Sequence, residues 1–552
     1  MKKRAVICII LILVAGALSG GLWCAKSQSY QAGQVRSYLK SETANLRLPA
    51  CKQLPAGGAW YVDGQRSAAK DFSRDCKQVV ESEEGQRLYD YANGFAADFP
   101  AGAEFDFSRS ALQVEVQEGE AVWKISRECA LQRDAEAYCR WYFDRFLTDP
   151  VHLSENGLTA SEEHRTEDGS YWFSVEGEEH YAYAFIATGT RIFYRVTLRY
   201  PSDMDVTARM EEFLSRFSYF RSRGRACYSR KHEVKIPQEW SRETTEFYRA
   251  FCNSKTVSWG IFADKMATDG LDQIIPDLER KLEFHFPLVL YYLPYGDPFP
   301  SEFMERAYGQ GRHVELTLQL TGYSNEKLAG YTPQLAAYRG WEDDTIRALA
   351  RGAKAFGHPF FFRLNNEMNS DWTNYSGVTV LEDPDIYVEV WRRFYRIFQE
   401  EGVDNVIWVF NPNDRDYPPA HWNHFMNYYP GDDYVQVIGV TGYNTGTYYK
   451  KKNNETWREF TQIYDGISAR FFPYFSEFPW MITEFASSSV GGDKAAWMER
   501  MFRHMGDYKN IKAAVWFHFA DFDPEQPEQV ARPYWLDETE ETLETMRKGL
   551  SK

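Results

Sequence analysis

Cysteine is absent from the last 300 residues of this 552-residue chain, Asn253 to Lys552. No CxxC spacing occurs anywhere in it, which removes the usual signature of a zinc site. Positive charge is also scarce. Against 79 Asp and Glu stand 63 Lys and Arg, a formal net charge of −16, so the basic footprint of a nucleic-acid binder is missing. Residues 30–225 contain no acid/base pair and no phosphate-cradling loop that rises above surface charge.

What is present is a folded composition, 44% apolar and 26% charged, in a chain too long for one ordinary domain. Aromatics reach 16%, with 17 Trp and 36 Tyr. Most must serve cores, but flat rings also make stacking platforms for sugar faces. At the N-terminus, Lys2-Lys3-Arg4 precedes an uncharged run from Ala5 to Trp23, read as a signal peptide or membrane anchor over 1–29. Export follows, to an extracellular or cell-surface location. Cys51, Cys76, Cys129, Cys139, Cys227 and Cys252 agree with export as an even set that allows fifteen pairings. Pairing of sequence neighbours is expected, with Cys227–Cys252 bracketing a linker.

The pattern divides the chain into a disulfide-containing α+β domain over 30–225, a linker over 226–252 and a second domain over 253–552. In the first, helical spacing covers Asp71–Phe99 and Ala135–Leu147. Tyr181–Ile186 and Arg191–Leu198 flank Thr188-Gly189-Thr190 as a hairpin, and a helix follows at Val206–Phe217. In the second, short apolar runs recur, each followed by a polar loop and a helical segment. They are Val257–Phe262, Phe286–Leu293, Val314–Leu320, Pro359–Leu364, Val406–Phe410, Val435–Val440, Trp480–Thr483 and Ala513–Phe519. Helical patterns at Asp343–Phe356 and Ile386–Glu400 lie between them. Eight such β-then-α units predict an α/β fold, a (β/α)8 barrel, because parallel strands need crossovers and eight close a cylinder.

Active sites of such barrels lie where strands end. The fourth run ends in Phe362-Arg363-Leu364-Asn365-Asn366-Glu367, and the seventh in Trp480-Met481-Ile482-Thr483-Glu484-Phe485. Two glutamates delivered this way are what cleaving a glycosidic bond requires: one protonates the leaving oxygen, the other attacks or stabilises the anomeric carbon. Alternation places Arg363, Asn365 and Glu367 on one face of the strand. The plainer reading of either glutamate alone is a helix cap; the pair at matching strand ends favours chemistry. That chemistry calls for no metal and no cofactor.

The stretch Phe362-Arg363-Leu364-Asn365-Asn366-Glu367-Met368-Asn369-Ser370-Asp371-Trp372 resembles the fourth-strand signature of glycoside hydrolase family 26, mostly β-mannanases. Pro430–Asn444 resembles its sixth-strand segment and Ile482-Thr483-Glu484-Phe485 its nucleophile segment, so the resemblance covers roughly 253–552. It implies a retaining mechanism with Glu367 as acid/base and Glu484 as nucleophile. It further implies that Arg363 pairs with the nucleophile, Tyr443 hydrogen-bonds it, and Trp516 floors the sugar site, with core packing the rival reading for Trp516. Trp372 and Tyr375 are candidate stacking residues. Many members carry His before the acid; here Asn366 stands there, as in the wider clan where that Asn reaches the sugar 2-hydroxyl. Gln319 and His518 are further polar groups near the mouth, and Asp414, Asp521 and Asp523 read as solvated loop charges. The expected function is an exported, endo-acting retaining β-glycosidase on a polysaccharide, endo-1,4-β-mannanase-like. The alternatives are β-glucan, xylan or a cell-envelope polymer as substrate, or an inactive carbohydrate-binding barrel.

Overall fold

The computed structural model describes residues 38–51, 54–131, 134–321 and 332–551. The targeting segment read over 1–29 lies outside them. Among the described residues no helix is long and apolar enough to cross a membrane.

Eight parallel strands close a barrel: β1 (Ser258–Ala263), β2 (Leu288–Pro294), β3 (His313–Gln319), β4 (Phe360–Leu364), β5 (Val406–Phe410), β6 (Val437–Thr441), β7 (Trp480–Phe485) and β8 (Ile511–His518). Closure is made by β1 against β8, with Ser258 opposite Ala513 and Ala263 opposite His518. All eight apolar runs are strands, because each is a short β-branched or aromatic stretch that buries on both faces. The helices at Asp343–Phe356 and Pro384–Glu400 cover it from outside.

The barrel interior changes character along its axis. Its N-terminal half is apolar, built from Leu288, Leu290, Phe361, Ile407, Val437 and Met481. The helix Arg242–Asn253, inside the stretch read as linker, plugs this end. Its Phe251 ring sits 5.0 Å from Phe361, and its Tyr248 hydroxyl donates to the Gln436 carbonyl at 2.8 Å. Its spacing of Thr244, Tyr248 and Phe251 is that of a one-sided helix. The C-terminal half is polar, and there Gly439 matters: a Cβ at this position would lie 2.6 Å from the Asn411 Cβ and 2.9 Å from Thr483. Only glycine leaves room for that pair of inward side chains.

Before the barrel lie two antiparallel sheets. The smaller runs Ser218–Tyr219, Phe95–Phe99, Gly85–Asp90, Cys76–Ser82, Ala59–Val62, Gln65–Ser67. Helical spacing over Asp71–Phe99 was therefore the wrong period: turns at Gly85 and Gly94 fold this stretch into a three-strand meander. The larger sheet contains the expected hairpin, His180–Ala187 with Ile192–Arg199, flanked by Tyr171–Glu176 on one side and Ala121–Cys129 on the other. One face meets the smaller sheet and the helix Val206–Arg216, where Phe213 stacks on Trp123 at 4.5 Å. The opposite face, Tyr171, Phe173, Tyr181 and Tyr183, packs onto Val378, Val380, Leu381 and Trp422 from barrel loops. Burial on both faces explains why these strands read as continuous apolar runs.

The cysteine expectation is corrected. Cys76, Cys129, Cys139, Cys227 and Cys252 carry free thiols, and no Cys227–Cys252 bridge forms. Cys252 instead packs at the plugged end of the barrel, while Cys139 is buried beside Arg195.

Candidate active site

Strand β4 ends at Leu364, and two left-handed residues steer the chain beyond it. Asn365 and Glu367 have φ of +50° and +57°. That region is sparsely populated by residues other than glycine and persists only where surroundings impose it. Asn365 consequently leaves the face it was assigned. Its Oδ1 accepts from the Leu320 backbone N–H (2.7 Å) and its Nδ2 donates to Gln334 Oε1 (2.7 Å). Glu367 still reaches the barrel mouth. Its backbone N–H donates to the Asn411 carbonyl at 2.7 Å, which fixes the turn.

On β7 a different device is used. Thr483 points inward and donates to Asn411 Oδ1 at 2.9 Å, so strict alternation would send Glu484 out. The ladder register slips between Val440 and Thr441 on β6 and between Ile482 and Phe485 against β8. Such irregularities re-aim side chains near active sites. Here the slip turns Glu484 inward as well.

Beneath both carboxyls lies Arg363, fully buried. Its Nη1 is 2.7 Å from Glu484 Oε1 and its Nε 3.0 Å from Glu315 Oε1. The guanidinium also donates to Thr317 Oγ1 (2.7 Å) and Asn411 Oδ1 (2.8 Å), over the Tyr292 ring at 5.6 Å. Tyr443 donates its hydroxyl to Glu484 Oε2 at 2.9 Å. Glu367 accepts from Asn413 Nδ2 at 2.8 Å and from Trp372 Nε1 at 3.2 Å.

The electrostatics separate these carboxyls. Burial pushes Glu367 up to about 8, and the Glu484 charge adds to the push. Burial likewise carries Glu315 up to about 8, despite the neighbouring Arg363. With Glu315 and Glu367 holding protons at neutral pH, Arg363 is left paired one-to-one with Glu484. Burial and the same Glu484 charge push the hydroxyls of Tyr292 and Tyr443 upward, so both remain donors.

Glu367, Glu484, Trp372 and Tyr443 share one open cleft of about 890 Å³, with Phe517 and Tyr534 among its other walls. Trp372 is half exposed, its ring 5.6 Å from Tyr417. Asn366 is buried behind the cleft, its Oδ1 accepting from Gln319 Nε2 (2.9 Å) and the Tyr375 hydroxyl (3.3 Å). Tyr375 is buried with it and does not stack in the cleft. Trp516 is corrected too. It is fully buried, packs 5.1 Å from Phe485 and donates to the Tyr534 carbonyl at 2.8 Å. Alternation on β8 gives the cleft to Phe517 and the outer core to Trp516. His518 accepts from the Leu536 N–H (2.9 Å) outside the cleft. Asp414 and Asp521 are ion-paired rather than merely solvated, with Arg458 (2.9 Å) and Arg532 (2.8 Å).

Sequence reasoning missed Glu315, Asn411 and Asn413. A carboxylate inside the run Val314-Glu315-Leu316-Thr317-Leu318 was a legible signal, since a buried charge there needs a partner. Asn411-Pro412-Asn413 directly follows β5, the position from which barrel side chains reach the mouth.

A barrel with a carboxyl pair at the ends of β4 and β7 is the architecture of a glycoside hydrolase, and residues 335–474 match the model of glycosyl hydrolase family 26. The chain therefore carries a family 26 domain over part of its length; the matched residues include Glu367 and end before Glu484. Over 186 residues the chain is 32% identical to "Endoglucanase H" of Acetivibrio thermocellus, covering 32% of this chain and 20% of that protein. Over 99 residues it is 32% identical to "Mannan endo-1,4-beta-mannosidase" of Bacillus subtilis, covering 17% and 25%. The chain thus spans about a fifth to a quarter of the length of these relatives. Among solved structures, the catalytic domain of a Bacillus sp. JAMB-750 GH26 endo-beta-1,4-mannanase aligns over 58% of this chain and 93% of that one. Its identity is 16% and its TM-score 0.43.

Proposed function

We propose that the barrel is a retaining endo-acting β-glycosidase of mannanase type, with Glu367 as acid/base and Glu484 as nucleophile. The observation that carries this reading is the asymmetry of the pair. One carboxyl is held protonated by burial, while the other is fixed by Arg363 and Tyr443 in the same cleft. In the first step the Glu484 carboxylate attacks the anomeric carbon as the C1–O bond breaks, and Glu367 gives its proton to the leaving oxygen. A covalent glycosyl ester on Glu484 results. In the second step Glu367, now a carboxylate, takes a proton from water; the hydroxide attacks C1 and releases Glu484. Retention requires the carboxyls about 5–5.5 Å apart.

The open cleft, with Trp372 and Tyr417 beside the acid, suits a polymer that passes through rather than a chain end that enters a pocket. We place the enzyme outside the cytoplasm, on the strength of Lys2-Lys3-Arg4 and the uncharged run after it. β-Glucan is the second reading, favoured by the longer match to an endoglucanase and by Asn366 in place of His. Reducing-sugar release from a panel of β-mannan, β-glucan and xylan, with product sizing, tests the substrate. Glu484→Gln is the control. Release by that variant at the wild-type rate refutes the assignment of catalysis to this site.

A further inference from the structure

The loop that carries the acid runs from Asn365 to Asp383 and has two strained ends. Glu367 sits at one, with Asn365 beside it. At the other, Leu381 and Glu382 also take left-handed φ, +57° and +49°. Two consecutive non-glycine residues in that region need an imposed environment, and the N-terminal sheets supply it. Tyr183 donates its hydroxyl to the Leu381 carbonyl at 2.6 Å. Arg195, fully buried, bridges Glu382 Oε2 at 2.9 Å and Asp144 at 3.0 Å. Tyr181 donates to Asp383 at 2.7 Å, and Lys124 pairs with Asp383 and Asp385. His152 Nε2 lies 2.9 Å from the Thr379 carbonyl.

The two ends of the loop are tied together. The Glu382 N–H donates to the Gly377 carbonyl (2.9 Å), and the Gly377 N–H to the Met368 carbonyl (3.2 Å), one residue from the acid. Ser370 meets Ser376 at 3.3 Å. Slack is small at the crossing, because a Cβ on Gly377 would collide with the Tyr428 hydroxyl at 1.9 Å.

We propose that the N-terminal domain is a working part of the active site: Tyr183 and Arg195 are positioning residues that fix Glu367 through the Leu381–Glu382 clamp. The inference rests on reading Glu367 as the acid. It assigns a role to a domain in which the sequence shows no chemistry of its own. Burying the Arg195 guanidinium between the carboxyls of Asp144 and Glu382, the latter pushed up to about 8 by burial, is costly unless the geometry is exacting, and such a group serves to hold one backbone path. Sub-ångström control of a catalytic group is where such rigidity acts on rate.

Two measurements on the full chain test it, using Tyr183→Phe, which removes one hydroxyl and keeps the packing. Glu382→Ala, which removes the acceptor of Arg195, is the second variant; Arg195→Leu leaves two buried carboxyls without their cation and is set aside as a folding risk. In hydrogen exchange, the variants are expected to speed exchange at 378–383 and also at 366–372, which the N-terminal domain otherwise meets through the Arg145–Asp371 ion pair at 3.5 Å. In kinetics, turnover of a mannan oligosaccharide falls roughly tenfold or more at unchanged KM. The kcat/KM of a dinitrophenyl β-mannoside, which reports only the first displacement and whose leaving group needs no proton, stays near wild type. Faster exchange confined to 378–383, or equal loss on both substrates, overturns the clamp. Glu367→Ala separates the two ideas. If it fails to show the same split between substrates, the acid assignment falls, and exchange at 366–372 still decides whether the N-terminal domain holds the loop.

Discussion

The alkaline limb of the pH–rate profile follows from the burial of Glu367. With its carboxyl at about 8, about nine-tenths of the protein holds the acid's proton at pH 7. An ordinary glutamate near 4.3 would hold well under 1%. The site thus raises the supply of competent acid by a factor of a few hundred. Between pH 7 and 9 the protonated fraction drops about tenfold, so kcat/KM on an unactivated polysaccharide should fall about tenfold over that interval. The perturbation is Trp372→Phe. The indole N–H donates to Glu367 Oε2 at 3.2 Å, a bond that favours the charged form and holds the acid lower than burial alone would. Its loss should move the alkaline limb upward, while loss of the half-exposed indole raises KM. The assay is initial-rate kinetics from pH 5 to 10 at constant ionic strength for both proteins. A wild-type profile flat to pH 9.5, or a limb that moves down in Trp372→Phe, refutes the argument.

Glu315 gives a stability prediction of opposite kind to a salt-bridged carboxylate. Its folded value of about 8 lies above the ordinary 4.5, so the native state keeps a proton that the unfolded chain releases, and stability falls as pH rises from about 4.5 to about 8. Glu315→Gln should flatten that loss by a few kcal/mol in urea unfolding compared at pH 5 and pH 9; equal losses in variant and wild type would contradict it. Arg363→Met strands Glu484 without its cation and should destabilise by about 3–5 kcal/mol, read by the same unfolding, whereas unchanged stability would mean Arg363 carries no buried pair. Trp516→Phe removes the bond to the Tyr534 carbonyl and should cost about 1–2 kcal/mol with KM unchanged; a raised KM would return Trp516 to the sugar site.

The fold of the second half was legible because parallel strands buried on both faces leave contiguous apolar runs, and β5, Val406–Phe410, appears in the structure at the residues the pattern marks. The first half was harder. In Cys76–Asp90 the apolar residues fall as the adjacent pairs Val79-Val80 and Leu88-Tyr89, which mark neither period, and only pairing across the Gly85 turn decides for strands. Within the site, Glu367 and Glu484 could be named from strand-end positions, and Arg363 and Tyr443 from the family resemblance. How they meet could not. The left-handed φ at Asn365 and Glu367 and the slipped register at Glu484 are tertiary events, and each breaks the two-residue alternation on which the facing argument rested. Trp516 shows the same limit from the other side: one step of register separates a cleft wall from an outer core. The Leu381–Glu382 clamp had no signal in the sequence, because its partners, Tyr183 and Arg195, lie about two hundred residues away on the two strands of a hairpin whose apolar rhythm gave no hint of function.

The central claim is that Glu367 and Glu484 act as acid/base and nucleophile across one glycosidic bond, with a covalent intermediate between them. Proton NMR of the anomeric signals in the first minutes of polysaccharide hydrolysis tests it most directly. Two displacements at the same carbon return the starting configuration, so the β-anomer should appear first and the α-anomer only as mutarotation proceeds. An α-anomer formed first would mean a single displacement by water, and the paired roles of Glu367 and Glu484 would be wrong.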